Sequence, residues 1–137
     1  MKFTPENITK LEPNQVFCYG ANTNFYHGAG AAKQALKFGA EIGKGPFVKN
    51  TYGIPTKGKY LNILSLDEIK YEIEVFLGFV KSYPEKEWLL TKIGTGYSKY
   101  KIEDIAQLFV DFMPLPSNLV VPKEFYDFWV KTGVIKD

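Results

Sequence analysis

Apolar residues in the middle of the chain recur every three or four positions, which is the period of one helical face. The residues that share this face are Leu66, Ile69, Ile73, Phe76 and Val80. Ser65 and Glu68 stand at the spacing of a capping box, in which each side chain accepts a hydrogen bond from the other residue's backbone N–H. Tyr83 precedes a proline and closes the pattern. The spacing predicts a helix from Leu66 to about Ser82.

Other apolar residues form short unbroken runs, as expected for strands that are covered on both faces of a sheet. The first run extends from Gln15 to Tyr19 and stops at Gly20. The other runs are Thr51–Ile54, stopped by Pro55, Trp88–Ile93, stopped by Gly94, and Asn118–Val121, with Leu61–Leu64 as a shorter extended piece. These runs predict four main strands.

Helical segments alternate with the strands. They are Ala31–Phe38, followed by Gly39, then Ile102–Phe112, and a last helix with Pro122 in its first turn and Gly133 after its end. The order β-α-β-α-β-α-β-α predicts an α/β fold of three layers, α/β/α, with a largely parallel, Rossmann-like sheet. The length of 137 residues suits a single domain over residues 1–137. Ligands of such sheets bind outside the carboxyl ends of the strands.

Composition removes several classes of partner. The net charge of +2 is too small to indicate nucleic acid or an anionic membrane. All 17 basic residues are lysines. No side chain can therefore form the planar, bidentate hydrogen bonds to phosphate that an arginine guanidinium forms. One cysteine, Cys18, and one histidine, His27, cannot form a thiolate zinc site, and we expect Cys18 to be a buried small hydrophobe. We therefore expect no metal and no cofactor. The sequence shows no signal peptide, so a cytoplasmic location is the simplest expectation, and the oligomeric state stays open.

The loop after the first predicted strand contains the strongest candidate site. It runs from Gly20, Ala21 and Asn22 through Asn24 to His27, Gly28, Ala29 and Gly30. Gly28 and Gly30 allow a ligand to approach the backbone closely, and the following helix presents unpaired N–H groups, so the loop favours an anion. The alternative is a glycine-rich turn without a ligand. The dinucleotide fingerprint G-x-G-x-x-G is incomplete here.

Polar side chains of this loop have two interpretations each. His27 either braces the loop through a hydrogen bond or serves as a ligand contact or general acid/base. Asn22 and Asn24 either hold sugar hydroxyls or form local turns with the backbone.

Two further strand ends carry polar residues. Gly94, Thr95, Gly96 and Tyr97 follow the Trp88–Ile93 strand, and Thr56 and Lys57 follow the Thr51–Ile54 strand. Since parallel strands share a carboxyl edge, we expect Thr95 and Gly96 to lie close to the Asn22–Gly30 loop. The three loops together predict a phosphate site.

The ordered motifs Tyr19-Gly20-Ala21-Asn22, His27-Gly28-Ala29-Gly30-Ala31-Ala32, Ile54-Pro55-Thr56-Lys57 and Ile93-Gly94-Thr95-Gly96 resemble a family of small phage and prophage proteins. More loosely, the two glycine loops are similar to those of macro domains, which bind ADP-ribose. The macro resemblance implies a macro-like fold, the distal ribose at Asn22 or Asn24, and the diphosphate at the glycine loops. Two positions depart from the phage family's pattern, because Tyr26 and Gly58 stand where it often has arginine and aspartate.

These observations support one leading hypothesis and two alternatives. The leading hypothesis is a protein that binds a phosphate-containing nucleotide such as ADP-ribose or a related signalling nucleotide, sequestering it in the host cytoplasm if the protein is phage-encoded. The first alternative is a hydrolase of ADP-ribosyl or phosphoanhydride bonds with His27 as general acid or base. The second is a protein-binding inhibitor that uses the aromatic segment Phe125–Trp129.

Overall fold

The computed structural model describes residues 2–136, which form five strands and four α-helices that alternate along the chain except for the consecutive strands β2 and β3. The strands are β1 (Gln15–Asn22), β2 (Phe47–Val48), β3 (Thr51–Lys57), β4 (Glu87–Leu90) and β5 (Leu119–Val120). The helices are α1 (Gly30–Ala35), α2 (Leu66–Ser82), α3 (Ile102–Gln107) and α4 (Lys123–Lys131), with 3₁₀ turns at Leu36–Phe38 and Val110–Phe112.

The five strands form one sheet in the order β2-β3-β1-β4-β5. Strands β3, β1, β4 and β5 are parallel to one another, and only the two-residue edge strand β2 is antiparallel. The predicted α/β fold with a largely parallel sheet is confirmed. Because β1 lies at the centre, the loop that follows it is flanked by the loops after β3 and β4.

Side chains of β1 alternate between two cores. Val16 and Cys18 belong to a cluster that includes residues of α2, α3 and α4, and both are fully buried. Phe17 and Tyr19 belong to a second cluster, which includes Ala35 of α1. The sheet is therefore covered on both faces, which explains why the β1 sequence is apolar without alternation.

Local sequence signals locate α2 correctly. The helix spans the predicted residues, and its capping box is present: Ser65 Oγ accepts a hydrogen bond from the Glu68 N–H at 3.1 Å, and Glu68 Oε1 accepts one from the Ser65 N–H at 2.9 Å. The predicted helices Ala31–Phe38 and Ile102–Phe112 are each shorter α-helices that are followed by a 3₁₀ turn. Helix α4 begins at Lys123, with Pro122 as its N-cap residue.

Several predicted strand boundaries are wrong. Strand β1 continues past Tyr19 and Gly20 to Asn22, and β5 is shorter than predicted, at Leu119–Val120. Strand β3 continues through Pro55 to Lys57, because β2 pairs only at Thr51 and Tyr52 and leaves the outer side of β3 free where the proline lacks a donor. Strand β4 ends at Leu90 instead of Ile93, since the Ile93 N–H donates to the carbonyl oxygen of Thr91 and turns the chain. The Leu61–Leu64 segment contributes only an isolated bridge between Ile63 and Lys57.

Among residues 2–136, no helix combines the length and the apolar character that a membrane crossing requires.

Candidate ligand-binding site at the carboxyl edge of the sheet

A cavity of about 460 Å³ lies at the carboxyl ends of β1, β3 and β4. This volume is within the usual range for small-molecule sites, and its position is the one expected for ligands of parallel sheets. The predicted site residues that line it are Gly20, Ala21, Asn22, Gly28, Ala29, Gly30, Thr56, Lys57, Gly94, Gly96 and Tyr97. The structure thus brings residues of all three predicted loops to one cavity, which is called the main cavity below.

The loops after β1 and β4 are in direct contact through Tyr97 and Gly30. Of the two residues predicted to lie close to the Asn22–Gly30 loop, Gly96 lines the same cavity as that loop, whereas Thr95 does not line it. The ring of Tyr97 covers Gly30, where an added Cβ atom would lie 3.0 Å from a ring carbon. Gly30 also has a φ of +60°, which disfavours any residue with a side chain. The loop after β4 is held to β3 in turn, since Ser98 Oγ lies 3.2 Å from both the carbonyl oxygen and Oγ1 of Thr56.

Three predicted site residues lie outside the cavity lining. Asn24 Nδ2 donates to the Lys59 carbonyl oxygen at 2.9 Å and so links two of the loops. Thr95 Oγ1 donates to the Lys92 carbonyl oxygen at 2.8 Å, within its own loop. His27 is 4% exposed and packs beneath the loop. Each of these side chains makes a contact that organises the site.

His27 is paired with a phenol. Its Nε2 atom lies 2.7 Å from Tyr19 Oη, and the two rings are 5.6 Å apart. Burial raises the pKa of Tyr19 to about 12 and lowers the pKa of His27, so both side chains are neutral near pH 7. Among residues 2–136, the buried Nδ1 atom of His27 has no hydrogen-bond partner. The geometry matches the loop-bracing interpretation.

Asn22 lines the cavity and also fixes the shape of its loop. Its side-chain oxygen accepts hydrogen bonds from the N–H groups of Asn24 and Tyr26, both at 3.1 Å, and its Nδ2 donates to the Tyr26 carbonyl oxygen at 2.8 Å. These hydrogen bonds form a local turn, which is one of the two interpretations that the sequence allowed for Asn22.

Each of the three loops holds a non-glycine residue with positive φ. These residues are Phe25 after β1, Leu61 after β3 and Lys99 after β4, with φ values of 53°, 63° and 62°. Such conformations cost about 1 to 3 kcal/mol each and concentrate at functional sites. A fourth such residue, Lys49, lies between β2 and β3 and outside the cavity lining. Of the three loop residues, Leu61 lines the cavity directly.

The charges that line the cavity have one sign. No aspartate or glutamate of residues 2–136 contributes to the lining, whereas Lys57 and Lys92 do. The Lys57 ammonium lies 4.8 Å above the centre of the Tyr97 ring. Lys92 pairs with two carboxylates outside the lining, Glu124 at 3.1 Å and Glu6 at 3.5 Å.

Backbone donors supplement the lysines. In the part of the chain that the structure describes, no N–H group from Gly28 to Ala32 donates to a protein acceptor. Because α1 has only six residues, its dipole is small, and these N–H groups act as individual donors. The lining therefore combines two lysines with backbone N–H groups that have no acceptor within residues 2–136, which suits an anion.

Sequence reasoning missed several lining residues, namely Tyr26, Leu61, Thr91, Lys92 and Ile93. Thr91 and Lys92 were missed because the predicted strand included them, whereas β4 ends before them. Two rings at the cavity, Tyr26 and Tyr97, are 61% and 63% exposed. For Tyr26, its position in a glycine-rich loop was the sequence signal that could have identified it as a lining residue.

Comparison of the chain with protein-family models, with curated proteins and with solved structures finds no match in any of the three. The class that the fold and the cavity define is an α/β protein whose largely parallel sheet has a cationic cavity at its carboxyl edge.

Proposed function

We propose that the protein binds a phosphate-containing nucleotide, such as ADP-ribose or a related signalling nucleotide, in the main cavity. The observation that carries this proposal is a cavity of ligand size at the carboxyl edge of the sheet in which, within residues 2–136, the lining side chains with a formal charge are lysines. An anionic ligand would find two ammonium groups there, although Lys92 is also paired with Glu124 and Glu6 outside the lining.

The remaining lining suits the other parts of a nucleotide. Free N–H groups of the Gly28–Ala32 segment supply the phosphate contacts that arginine would otherwise provide. The exposed rings of Tyr26 and Tyr97 offer flat apolar faces to a heterocycle or a sugar. The macro resemblance would add the distal ribose near Asn22, whose side chain lines the cavity. The phage resemblance would make the biological role the sequestration of a nucleotide signal.

A thermal-unfolding experiment with ADP-ribose tests the proposal. A ligand at 100 times its Kd stabilises the protein by about 2.7 kcal/mol. Gly96 lines the main cavity, and an added Cβ atom there meets nothing within 4 Å, so Gly96→Leu fills space without disturbing the fold. We expect this variant to lose at least ~1.4 kcal/mol of the ligand-induced stabilisation, which corresponds to tenfold weaker binding.

Gly78→Leu is the matched control. Gly78 lies on the exposed side of α2, and an added Cβ atom there also meets nothing within 4 Å. The control should keep the full ligand-induced shift. Equal shifts in both variants would place the ligand elsewhere, and the absence of any shift with ADP-ribose, NAD, cyclic ADP-ribose and simple nucleotides would refute nucleotide binding.

The two alternatives receive less support from the positions of their residues. The hydrolase needs His27 to reach a ligand, but His27 is buried against Tyr19 and does not line the cavity. The protein-binding inhibitor needs exposed aromatic side chains in 125–129, but Phe125 and Trp129 are fully buried. Incubation of the protein with ADP-ribose, followed by product analysis, tests the first alternative directly, since hydrolysis abolished by His27→Ala would favour the enzyme.

A further inference from the structure

Positive charge is concentrated in the three segments that build the main cavity. These segments, residues 20–33, 56–64 and 91–101, contain no aspartate or glutamate and six lysines, namely Lys33, Lys57, Lys59, Lys92, Lys99 and Lys101. The other residues of the chain contain 11 lysines and 15 acidic residues, so the net charge of +2 does not describe this edge of the sheet. Among residues 2–136, only Lys92 of the six is paired with a carboxylate. The edge therefore attracts a polyanion, although the whole chain is nearly neutral.

Three exposed tyrosine rings belong to the same segments. Tyr26, Tyr60 and Tyr97 are 61%, 83% and 63% exposed. Tyr26 and Tyr97 line the main cavity, and Tyr60 directly precedes Leu61, which lines it too. Exposed rings that stand together at the mouth of a cavity indicate a surface that contacts a partner.

Lysines are interleaved with these rings. The Lys57 ammonium lies 4.8 Å from the centre of the Tyr97 ring, and the Lys59 ammonium lies 5.6 Å from the centre of the Tyr60 ring. Exposed rings beside lysines are the combination by which proteins hold single-stranded nucleic acid, because the bases stack on the rings and the phosphates approach the cations. The three tyrosines together with Lys57 and Lys59 are called the rim below.

The number of rings distinguishes a strand from a free nucleotide. A single base has two faces, so a free nucleotide leaves at least one of the three rings without a stacking partner. A strand brings one base with each of its nucleotides and can occupy all of them. An acidic peptide would match the lysines but would leave the rings without flat partners.

We infer that the protein binds the phosphorylated end of a single-stranded nucleic acid, with the terminal nucleotide in the main cavity and the following bases on the rim. This inference rests on the proposed function and specifies that the nucleotide is part of a polymer. The cavity of about 460 Å³ has the size of a small-molecule site, so it takes the end of the strand while the rest lies outside. Lys57 lines the cavity and belongs to the rim, so it stands where the two parts of the strand join.

Fluorescence anisotropy of the full chain with short oligothymidylates tests the inference. The strands carry an internal fluorophore and a phosphate at the 5′ end, at the 3′ end or at neither end. We expect one of the phosphorylated strands to bind at least tenfold more tightly than the unphosphorylated strand, since a hydrogen bond to a charged group contributes about that factor. A duplex of the same length should bind more weakly, because its bases are already stacked on one another.

Tyr60→Ala separates the strand from the free nucleotide. Tyr60 does not line the main cavity, so the change should leave ADP-ribose binding unchanged. It should weaken strand binding at least about fivefold, which is the contribution of one stacked base. Tyr71→Ala is the matched control, because Tyr71 is 64% exposed on α2 and lies outside the three segments. The control should change neither affinity.

Two further variants test the charge of the rim and the place of the strand end. Each phosphate contact of a single strand contributes about 0.7 to the slope of the logarithm of affinity against the logarithm of salt concentration, and Lys59→Gln should reduce the slope by about that amount. Lys81→Gln, at an exposed lysine in the last turn of α2, should leave the slope unchanged. Gly96→Leu should weaken the binding of both ADP-ribose and the phosphorylated strand, since Gly96 lines the main cavity.

Each outcome has a distinct meaning. Weaker strand binding with unchanged ADP-ribose binding in Tyr60→Ala supports the inference. Equal affinities for phosphorylated and unphosphorylated strands, a duplex that binds as tightly as the single strand, or a polyglutamate peptide that binds as tightly as the strand overturns it and leaves nucleotide binding in the main cavity intact. If neither ADP-ribose nor any strand binds to the unmodified protein, the proposed function fails and the inference fails with it.

Discussion

At the scale of single residues, His27 illustrates how burial changes the meaning of a side chain. The sequence places the only histidine of the chain in a glycine-rich loop, where a ligand contact and a structural hydrogen bond were equally compatible with its position. The partner that decides between these interpretations is Tyr19, eight residues earlier, and the geometry of that pair depends on the curvature of the whole loop. Residue type and spacing alone do not contain this information.

The buried His27 makes stability depend on pH. Because its pKa in the folded protein is lowered from the ordinary value of 6.5, the unfolded chain binds the extra proton first. The free energy contributed by neutral His27 is fully present above pH 6.5 and decreases as the pH falls below that value. We expect the stability difference between the unmodified protein and His27→Gln to shrink there, with a slope of at most about 1.4 kcal/mol per pH unit.

Denaturant unfolding of both proteins between pH 5 and 8 measures this difference. The carboxylates titrate in both proteins, so their effects cancel in the comparison. Parallel stability curves across this range would show that protonation of His27 is not linked to folding.

At the scale of elements, α2 was predictable and β4 was not, for a physical reason. The start of α2 depends on Ser65 and Glu68, and its end depends on the Tyr83–Pro84 step. Its buried face consists of five regularly spaced apolar residues. All of these signals lie within or directly beside the helix. The end of β4 depends on the turn in which the Ile93 N–H donates to the Thr91 carbonyl oxygen. Thr91 and Lys92 are compatible with either a strand or a turn, and the first glycine comes only at Gly94, so sequence reasoning placed this boundary wrongly.

The capping box provides the test at this scale. Ser65→Ala removes the acceptor for the Glu68 N–H at the start of a 17-residue helix, and we expect a loss of about 1 kcal/mol in the free energy of unfolding. Ser117→Ala is the control, because Ser117 is exposed and its hydroxyl has no hydrogen-bond partner within residues 2–136. The control should change stability by less than about 0.5 kcal/mol. Similar losses in both variants would show that the cap does not stabilise α2.

At the scale of the whole molecule, the site was predictable through a topological rule. Parallel strands end at one edge, so the loops after β1, β3 and β4 had to meet wherever these strands were neighbours. The rule placed Gly30, Gly96 and Thr56 together, although nothing local connects them. The rule did not identify Tyr26 and Leu61 as lining residues. Their positions depend on loop conformations with positive φ at Phe25 and at Leu61 itself.

Hydrogen exchange with and without ADP-ribose tests this arrangement. We expect ligand binding to slow amide exchange in three separate segments at once, residues 22–32, 56–62 and 91–98, because all three contribute to the cavity. The loops at the opposite edge, residues 9–14 and 83–87, serve as internal controls and should be unchanged. Protection limited to one segment would contradict a site built from three loops.

The position of Cys18 gives the protein an internal reporter of sheet opening. The thiol is fully buried in the central strand, next to a carbonyl group that accepts hydrogen bonds from both the N–H and the hydroxyl of Thr91. Burial raises the pKa of the thiol, which suppresses the thiolate that reacts with alkylating agents. As the only cysteine in the chain, it can be modified only while the helices that cover its face of the sheet are detached. The rate of alkylation therefore reports openings of this face of the sheet, and a ligand that stabilises the closed fold should slow it.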